Sequence, residues 1–216
     1  TSRGIVERDA TTLSMLQFDP GETTRSVQLY GVDPRPIAEA VRILIGDYGV
    51  AHVDLNFGCP VPKVTRKGGG AALPYKRGLL EQILRAAVAA AAPDGVPVTM
   101  KTRIGIDADH RTHLDAGRIA EASGCAAVAL HARTADQHYS GHAQWDDISA
   151  LVDAVDIPVL GNGDIWEAAD ALRMVEQTGC SGVVVGRGCL GRPWLFRDLA
   201  AAFTNAPTPP LPTLGE

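Results

Sequence analysis

An α/β fold, read as a TIM (β/α)8 barrel present in part, is what the sequence predicts, and three observations carry it. Short β-branched runs alternate with Ala-rich helical stretches along the 216 residues. The runs are almost continuously apolar, as in parallel strands covered by helices. Nearly every run closes on a polar residue able to do chemistry: Gln28, Asn56, Lys101, His131, Asn162 and Arg187. An open doubly wound sheet gathers its ligand at one crevice. Six successive strands that each offer such a residue describe instead a ring with one shared mouth at the C-terminal ends.

The elements follow in order. Thr1–Glu7 reads as the tail of a strand. Ser26–Tyr30 is the first clear strand, and a helix over Pro36–Tyr48 stops at Gly49. Strand His52–Phe57 leads through a Gly-Cys-Pro turn to a helix over Gly78–Ala92. Strand Val96–Thr102, helix His113–Ser123 and strand Ala127–His131 come next, then helix Trp145–Val155 and strand Ile157–Leu160. Helix Trp166–Thr178 and strand Gly182–Val185 complete the series. Gly49, Gly124 and Gly179 each follow a helix, where a left-handed cap is expected. With six clear strands, one more strand and part of a second are expected ahead of Thr1, and the length falls short of the ~250 residues of a full barrel. Residues 1–205 therefore read as the barrel domain. Residues 206–216, with four prolines, read as a semi-rigid linker to a further domain.

Composition narrows the classes. Net charge is −5, with 45% hydrophobic and 21% charged residues, which is globular rather than disordered. No apolar run approaches the ~20 residues of a membrane span, and the N-terminus lacks a signal-peptide layout. Four cysteines without a CxxC pair suggest neither zinc nor a disulfide framework. A reduced, cytoplasmic monomer without metal is the expectation. The acidic balance argues against a surface that grips nucleic acid everywhere.

The richest loop is Asn56-Phe57-Gly58-Cys59-Pro60, followed by Lys63 and three glycines at 68–70. Its rigid turn would present the Cys59 thiol at the barrel mouth, as nucleophile or as acid. Cys125, Cys180 and Cys189 read as structural. Gly161-Asn162-Gly163-Asp164 and Gly186-Arg187-Gly188 end the last two strands, where barrels commonly hold phosphate. Lys101, inside an apolar strand, is costly unless paired with an anion. His131 and Arg133 close the next strand, and the other histidines, placed near loops and helix starts, receive no role. Lys63, Arg66, Lys67, Lys76 and Arg77 form an acid-free basic strip beside the Cys59 loop, suited to phosphates.

Together, Gln28-Leu29 with Gly31, Asn56-x-Gly58-Cys59-Pro60 with Lys63, Lys101-x-Arg103, His131-x-Arg133, Asn162-Gly163-Asp164, Gly186-Arg187-Gly188 and the segment from Gly191 to Phe196 resemble the tRNA-dihydrouridine synthase family, its bacterial B-type branch above all. The resemblance runs from about Thr1 to Ala202. The family's Pro-Met segment on the first strand has no counterpart here. The resemblance implies an FMN-binding barrel that reduces the C5–C6 bond of particular uridines in tRNA, with NADPH recharging the flavin. It assigns Cys59 as the acid that protonates C5. It gives Gln28, Lys101 and His131 to the flavin ring, and Asn162, Gly163, Asp164, Gly186 and Arg187 to its phosphate. Asn56 would touch the flipped-out uracil, with Lys63, Arg66, Arg103 and Arg133 as further substrate contacts. On the residues alone three alternatives stay open: a flavin barrel for a free pyrimidine or dihydroorotate, a non-redox phosphate-binding barrel, and a non-catalytic RNA-binding fragment.

Overall fold

The alternation becomes a wall of parallel strands backed by helices in a computed structural model that describes residues 1–208, 210, 211 and 213. In chain order the elements are α1 (Ser2–Val6), α2 (Ala10–Ser14), β1 (Ser26–Leu29), α3 (Pro34–Tyr48), β2 (His52–Phe57), α4 (Pro62–Thr65), α5 (Arg77–Ala91), β3 (Val98–Arg103), α6 (His113–Ala122), β4 (Ala127–His131), α7 (Asp146–Val152), β5 (Val159–Asn162), α8 (Ala168–Thr178), β6 (Gly182–Val183) and α9 (Leu195–Phe203). The sheet order is β1-β2-β3-β4-β5-β6, every pair parallel. A doubly wound sheet reverses its order partway across. This one never does, so each crossover advances in one direction, as in a barrel wall.

The outward face of the strands carries the core. Val53, Leu55 and Phe57 of β2, Val98 and Met100 of β3, and Val128 and Leu130 of β4 are buried against Ile37, Val41 and Leu44 of α3, Leu80, Ile83, Leu84 and Ala87 of α5, and Ala116 and Ala120 of α6. Burying each large aliphatic side chain contributes about 1.5–3 kcal/mol. α3 is bounded by its own chemistry: the Asp33 side chain accepts from Arg35 N at 3.1 Å, and Gly49 closes the helix with φ +61°. That left-handed backbone is the one a C-terminal cap requires.

Several sequence expectations are corrected. Thr1–Glu7 is not a strand tail. Ser2–Val6 is helical, because the Thr1 hydroxyl accepts from Gly4 N at 3.1 Å and Ile5 turns into the core. The strands expected at Val96 and Ile157 begin at Val98 and Val159. Pro97 and Pro158 have no N–H for a ladder, so regular pairing starts just after each. β3 and β5 also run on to Arg103 and Asn162, while β6 stops at Val183. Helix α8 starts at Ala168 rather than Trp166, because Asp170 accepts from the N–H groups of Trp166 and Glu167 at 2.8 and 2.9 Å and caps the turn. Helix α9 was not foreseen; its apolar face buries Leu195 and Leu199. The strands are also not apolar throughout. β2 alternates, with Val53, Leu55 and Phe57 buried outward and His52, Asp54 and Asn56 half-buried inward. The proposed linker at 206–216 lies partly outside the described residues, and its described residues, 206–208, 210, 211 and 213, carry no helix or strand.

Candidate active site

Register brings the strand-end residues to one level. Gln28 pairs with Asp54, Asn56 with Lys101, Arg103 with His131, and His131 with Asn162. Above them opens a cavity of about 540 Å³, lined by Gln28, Asn56, Cys59, Lys101, Arg103, His131, Arg133, Tyr139, Asn162, Gly163, Asp164, Trp166, Gly186 and Arg187 among others. Lys63 and Arg66 are not among its lining residues; both are exposed, Lys63 on the short helix α4 and Arg66 at its C-terminal cap.

On one side the Cys59 loop is pinned through its backbone. The N–H groups of Gly58 and Cys59 both donate to Asn56 Oδ1 at 3.1 Å. Ala71 N–H donates to the Cys59 carbonyl at 3.0 Å. The Arg103 guanidinium donates to the carbonyl of Gly58 at 2.9 Å, Thr134 at 3.0 Å and His138 at 2.9 Å. Arg103 therefore braces the loop from below, a role the sequence did not indicate. Cys59 is half-buried, whereas Cys125 and Cys180 are buried. Burial pushes the Cys125 thiol up to about 12, with the Asp54 charge adding to it, so that thiol is inert.

The floor combines a cation and a neutral ring. Burial first, then the charge of Arg103, lowers the Lys101 ammonium to about 8, against an opposing pull from Asp54. His131 falls to about 3 through burial and then Arg103, Lys101 and Arg133, with Asp164 opposing. At neutral pH the His131 ring is uncharged, one nitrogen donating and the other accepting.

The far side is built on charge. Arg133, 1% exposed, donates to both Asp164 carboxylate oxygens at 2.7 and 2.8 Å and to the carbonyls of Ser140 and Gly141 at 3.1 and 2.8 Å. Asp164 also accepts from Ala143 N at 2.7 Å. Burial opposes its charge, but these donors outweigh it and hold the carboxyl below the usual range. Gly163 has φ +129° and Asp164 φ +56°, so the loop turns sharply back over the cavity. A Cβ at Gly163 would lie 2.7 Å from that of Ala143. Arg187 is 3.8 Å from Asp164, with its guanidinium carbon 4.8 Å from the Trp166 ring centre and 5.1 Å from that of Tyr139. Asn162 donates to the Val184 carbonyl at 2.7 Å and ties β5 to the next turn.

The structure thus gathers Gln28, Asn56, Cys59, Lys101, His131 and the two terminal loops around one cavity and leaves Lys63 and Arg66 outside it. Arg103 and Arg133, expected toward substrate, line the cavity but direct N–H groups to carbonyls and to Asp164. Asp164 turns its carboxylate to Arg133, so any anion there would meet backbone and Arg187. Sequence reasoning missed Asp54, Thr99, Tyr139 and Trp166, and it gave no role to His52, which opens β2 as expected. The alternation of polar residues in His52-x-Asp54-x-Asn56 is the signal that could have found two of them. Among the described residues, no group of three or more His, Cys, Asp or Glu could hold a metal ion, and no helix is long and apolar enough to cross a membrane.

Comparison with known proteins bears on this site. The dihydrouridine synthase (Dus) family model matches residues 1–216. The chain is 62% identical over 218 residues to a "Probable tRNA-dihydrouridine synthase" of Mycobacterium leprae, covering 100% of this chain and 56% of that protein. It is 41% identical over 189 residues to "tRNA-dihydrouridine synthase B" of Xanthomonas axonopodis pv. citri, covering 88% of this chain and 56% of that protein. With the B-named protein of Pseudomonas aeruginosa the identity is 40% over 200 residues, covering 91% of this chain and 59% of that protein. The chain thus spans little more than half the length of these relatives. In fold it is similar to the crystal structure of a mandelate racemase/muconate lactonizing enzyme from Labrenzia alexandrii DFL-11, with a TM-score of 0.60, 14% identity, and 84% of this chain and 44% of that one covered. The parallel wall, the cavity at its strand ends and the match along the whole sequence together establish that this chain belongs to the dihydrouridine synthase family.

Proposed function

We propose that residues 1–205 form the catalytic part of an FMN-dependent enzyme that reduces the C5–C6 double bond of a uridine in tRNA to dihydrouridine, with NADPH as reductant. The observation that carries this reading is the placement of the Cys59 thiol, on a backbone-pinned loop, across one cavity from Lys101 and His131. The cavity volume of about 540 Å³ falls in the range of cofactor sites. Lys101 is cationic yet shielded, as suits charge beside an electron-rich flavin ring. At the other end, the open backbone at Gly186 and the steadied Arg187 suit a phosphate.

The flavin, when bound, supplies the hydride that C6 receives and takes its own electrons from NADPH. The protein's residues do the rest. Cys59 gives its thiol proton to C5 and regains one from water. Asn56, steadied by the same loop, faces the uracil, and Gln28 and His131 fix the ring by neutral hydrogen bonds. A base stacked within RNA cannot reach this depth, so the uridine is flipped out to enter. Exposed Lys63, Arg66 and Lys67 contact tRNA phosphates at the edge.

The test is Cys59→Ala in the full-length protein. Flavin reduction by NADPH persists, while dihydrouridine in tRNA, measured by nucleoside mass spectrometry, falls at least about 100-fold. Unchanged dihydrouridine formation would refute the acid role.

A further inference from the structure

Beneath the cavity floor, a chain of hydrogen bonds crosses the inward face of β1, β2 and β3 and meets at one residue that lies outside the cavity lining. The N–H groups of Gly58 and Cys59 donate to Asn56 Oδ1 at 3.1 Å. Asn56 Nδ2 donates to Gln28 Oε1 at 2.8 Å, and Gln28 Nε2 donates to Asp54 Oδ2 at 2.7 Å. From the other direction Ser26 Oγ lies 2.7 Å from His52 Nδ1, and His52 Nε2 lies 2.9 Å from Thr99 Oγ1. Thr99 Oγ1 donates to Asp54 Oδ1 at 2.7 Å.

The direction of every bond follows from what each end can do. A carboxylate only accepts and a backbone N–H only donates. Asp54 therefore fixes Gln28 with its amide nitrogen inward, which leaves Oε1 for Asn56. Asn56 must then present Nδ2 to Gln28 and Oδ1 to the loop. Thr99 has one hydroxyl proton, given to Asp54, so His52 must carry its proton on Nε2 and accept from Ser26 on Nδ1.

We propose that Asp54 is a positioning residue: as the common acceptor of both branches it sets the amide orientation of Gln28 and Asn56 and, through them, the Cys59 loop. This rests on the reading of Cys59 as the proton donor only for its catalytic consequence.

The two branches differ in a way that makes the proposal testable. The amide branch cannot reverse, because a flipped Asn56 would set Nδ2 against two backbone N–H groups. The hydroxyl–imidazole branch can reverse at every member. In Asp54→Asn, the new side chain must keep its oxygen on Gln28 and turn its NH₂ to Thr99. Thr99 then donates to His52 Nε2, and the His52 proton moves to Nδ1. In Asp54→Leu neither branch has its acceptor, Asn56 loses its fixed orientation, and the loop keeps only its contacts to Ala71 and Arg103.

Both variants are made in the full-length protein. Long-range ¹H–¹⁵N imidazole spectra at alkaline pH report the His52 tautomer, expected as Nε2–H in the parent and Nδ1–H in Asp54→Asn. Iodoacetamide labelling followed by peptide mass spectrometry reports Cys59. Its rate is expected within twofold of the parent in Asp54→Asn and about tenfold faster in Asp54→Leu. The kcat of Asp54→Leu on tRNA is expected to fall about tenfold. An unchanged tautomer in Asp54→Asn overturns the proposal, as does parental labelling of Cys59 in a folded Asp54→Leu. If Asp54→Leu does not fold, the tautomer decides alone. If tautomer and labelling respond but kcat does not, the acid role of Cys59 is what fails, and Cys59→Ala shows it independently.

Discussion

Across the cavity, the β1–β3 side and the β4–β6 side hold their functional groups by opposite means. The side chains of Gln28 and Asn56, and through Asn56 the Cys59 loop, are oriented by neutral amides, hydroxyls and one imidazole that drain to a single carboxylate. Gly163, Asp164 and the surrounding loops are set by a buried guanidinium that ties one carboxylate to two carbonyls. A neutral hydrogen bond contributes only about 0.5–1.5 kcal/mol, but it is directional and can be relayed. A buried ion pair is rigid and punishing when half of it is removed. The thiol side thus gains orientation from a neutral relay, with the Arg103 guanidinium as one charged brace on the Gly58 carbonyl. The charged side gains stiffness, with Arg187 steadied 3.8 Å from Asp164 and over the Trp166 ring.

The sharpest way to break this contrast is Arg133→Gln. It removes the bidentate partner of Asp164 and leaves the carboxylate only the Ala143 N–H and Arg187 at 3.8 Å, and we expect a loss of about 3 kcal/mol in urea unfolding; a loss under 1 kcal/mol would show the charged side is no stiffer than the neutral one. Next comes acid. His131 has a folded value near 3 against an ordinary 6.5. The unfolded chain therefore takes up a proton below pH 6.5 that the folded chain refuses until about pH 3. Stability contributed by neutral His131 is full above pH 6.5 and declines as pH falls toward 3, by about 2 kcal/mol at pH 5. Unfolding midpoints of the parent and His131→Asn across pH 7 to 5 check this, the variant losing less. Lys101, Arg103, Arg133 and Asp164 face this ring and set the size of the effect. Gly163→Ala places a side chain where φ is +129°, and we expect a cost of about 1–3 kcal/mol together with weaker flavin binding by fluorescence titration. The smallest change is Thr99→Val, which cuts only the reversible branch below Asp54. It should cost about 1 kcal/mol and leave Cys59 labelling at the parental rate.

Much of the site was legible in the chain itself. Cys59 between Gly58 and Pro60, Lys101 within an apolar strand, and paired glycine turns after the last two strands each carry a chemical signature that needs no coordinates. The charged side was half legible. Arg133 and Asp164 stood out singly, but thirty-one positions separate them, and nothing in the sequence said that each would satisfy the other. Asp54 was hidden for a related reason: within HVDLNF it reads as one polar interruption of a strand, and its partners Gln28 and Thr99 come from two other strands.

What the sequence alone determined, then, is local and periodic. The alternation of strand and helix and the glycine caps at Gly49 and Gly179 follow from side-chain pattern and backbone preference acting over a few residues. What only the tertiary structure decided is which polar groups meet. Inter-strand register puts Gln28 beside Asp54 and Asn56 beside Lys101, and hydrogen-bond direction and buried-charge pairing then follow from contacts between residues far apart in the chain. Register is fixed cooperatively by the whole packed outer face, so no single segment encodes it.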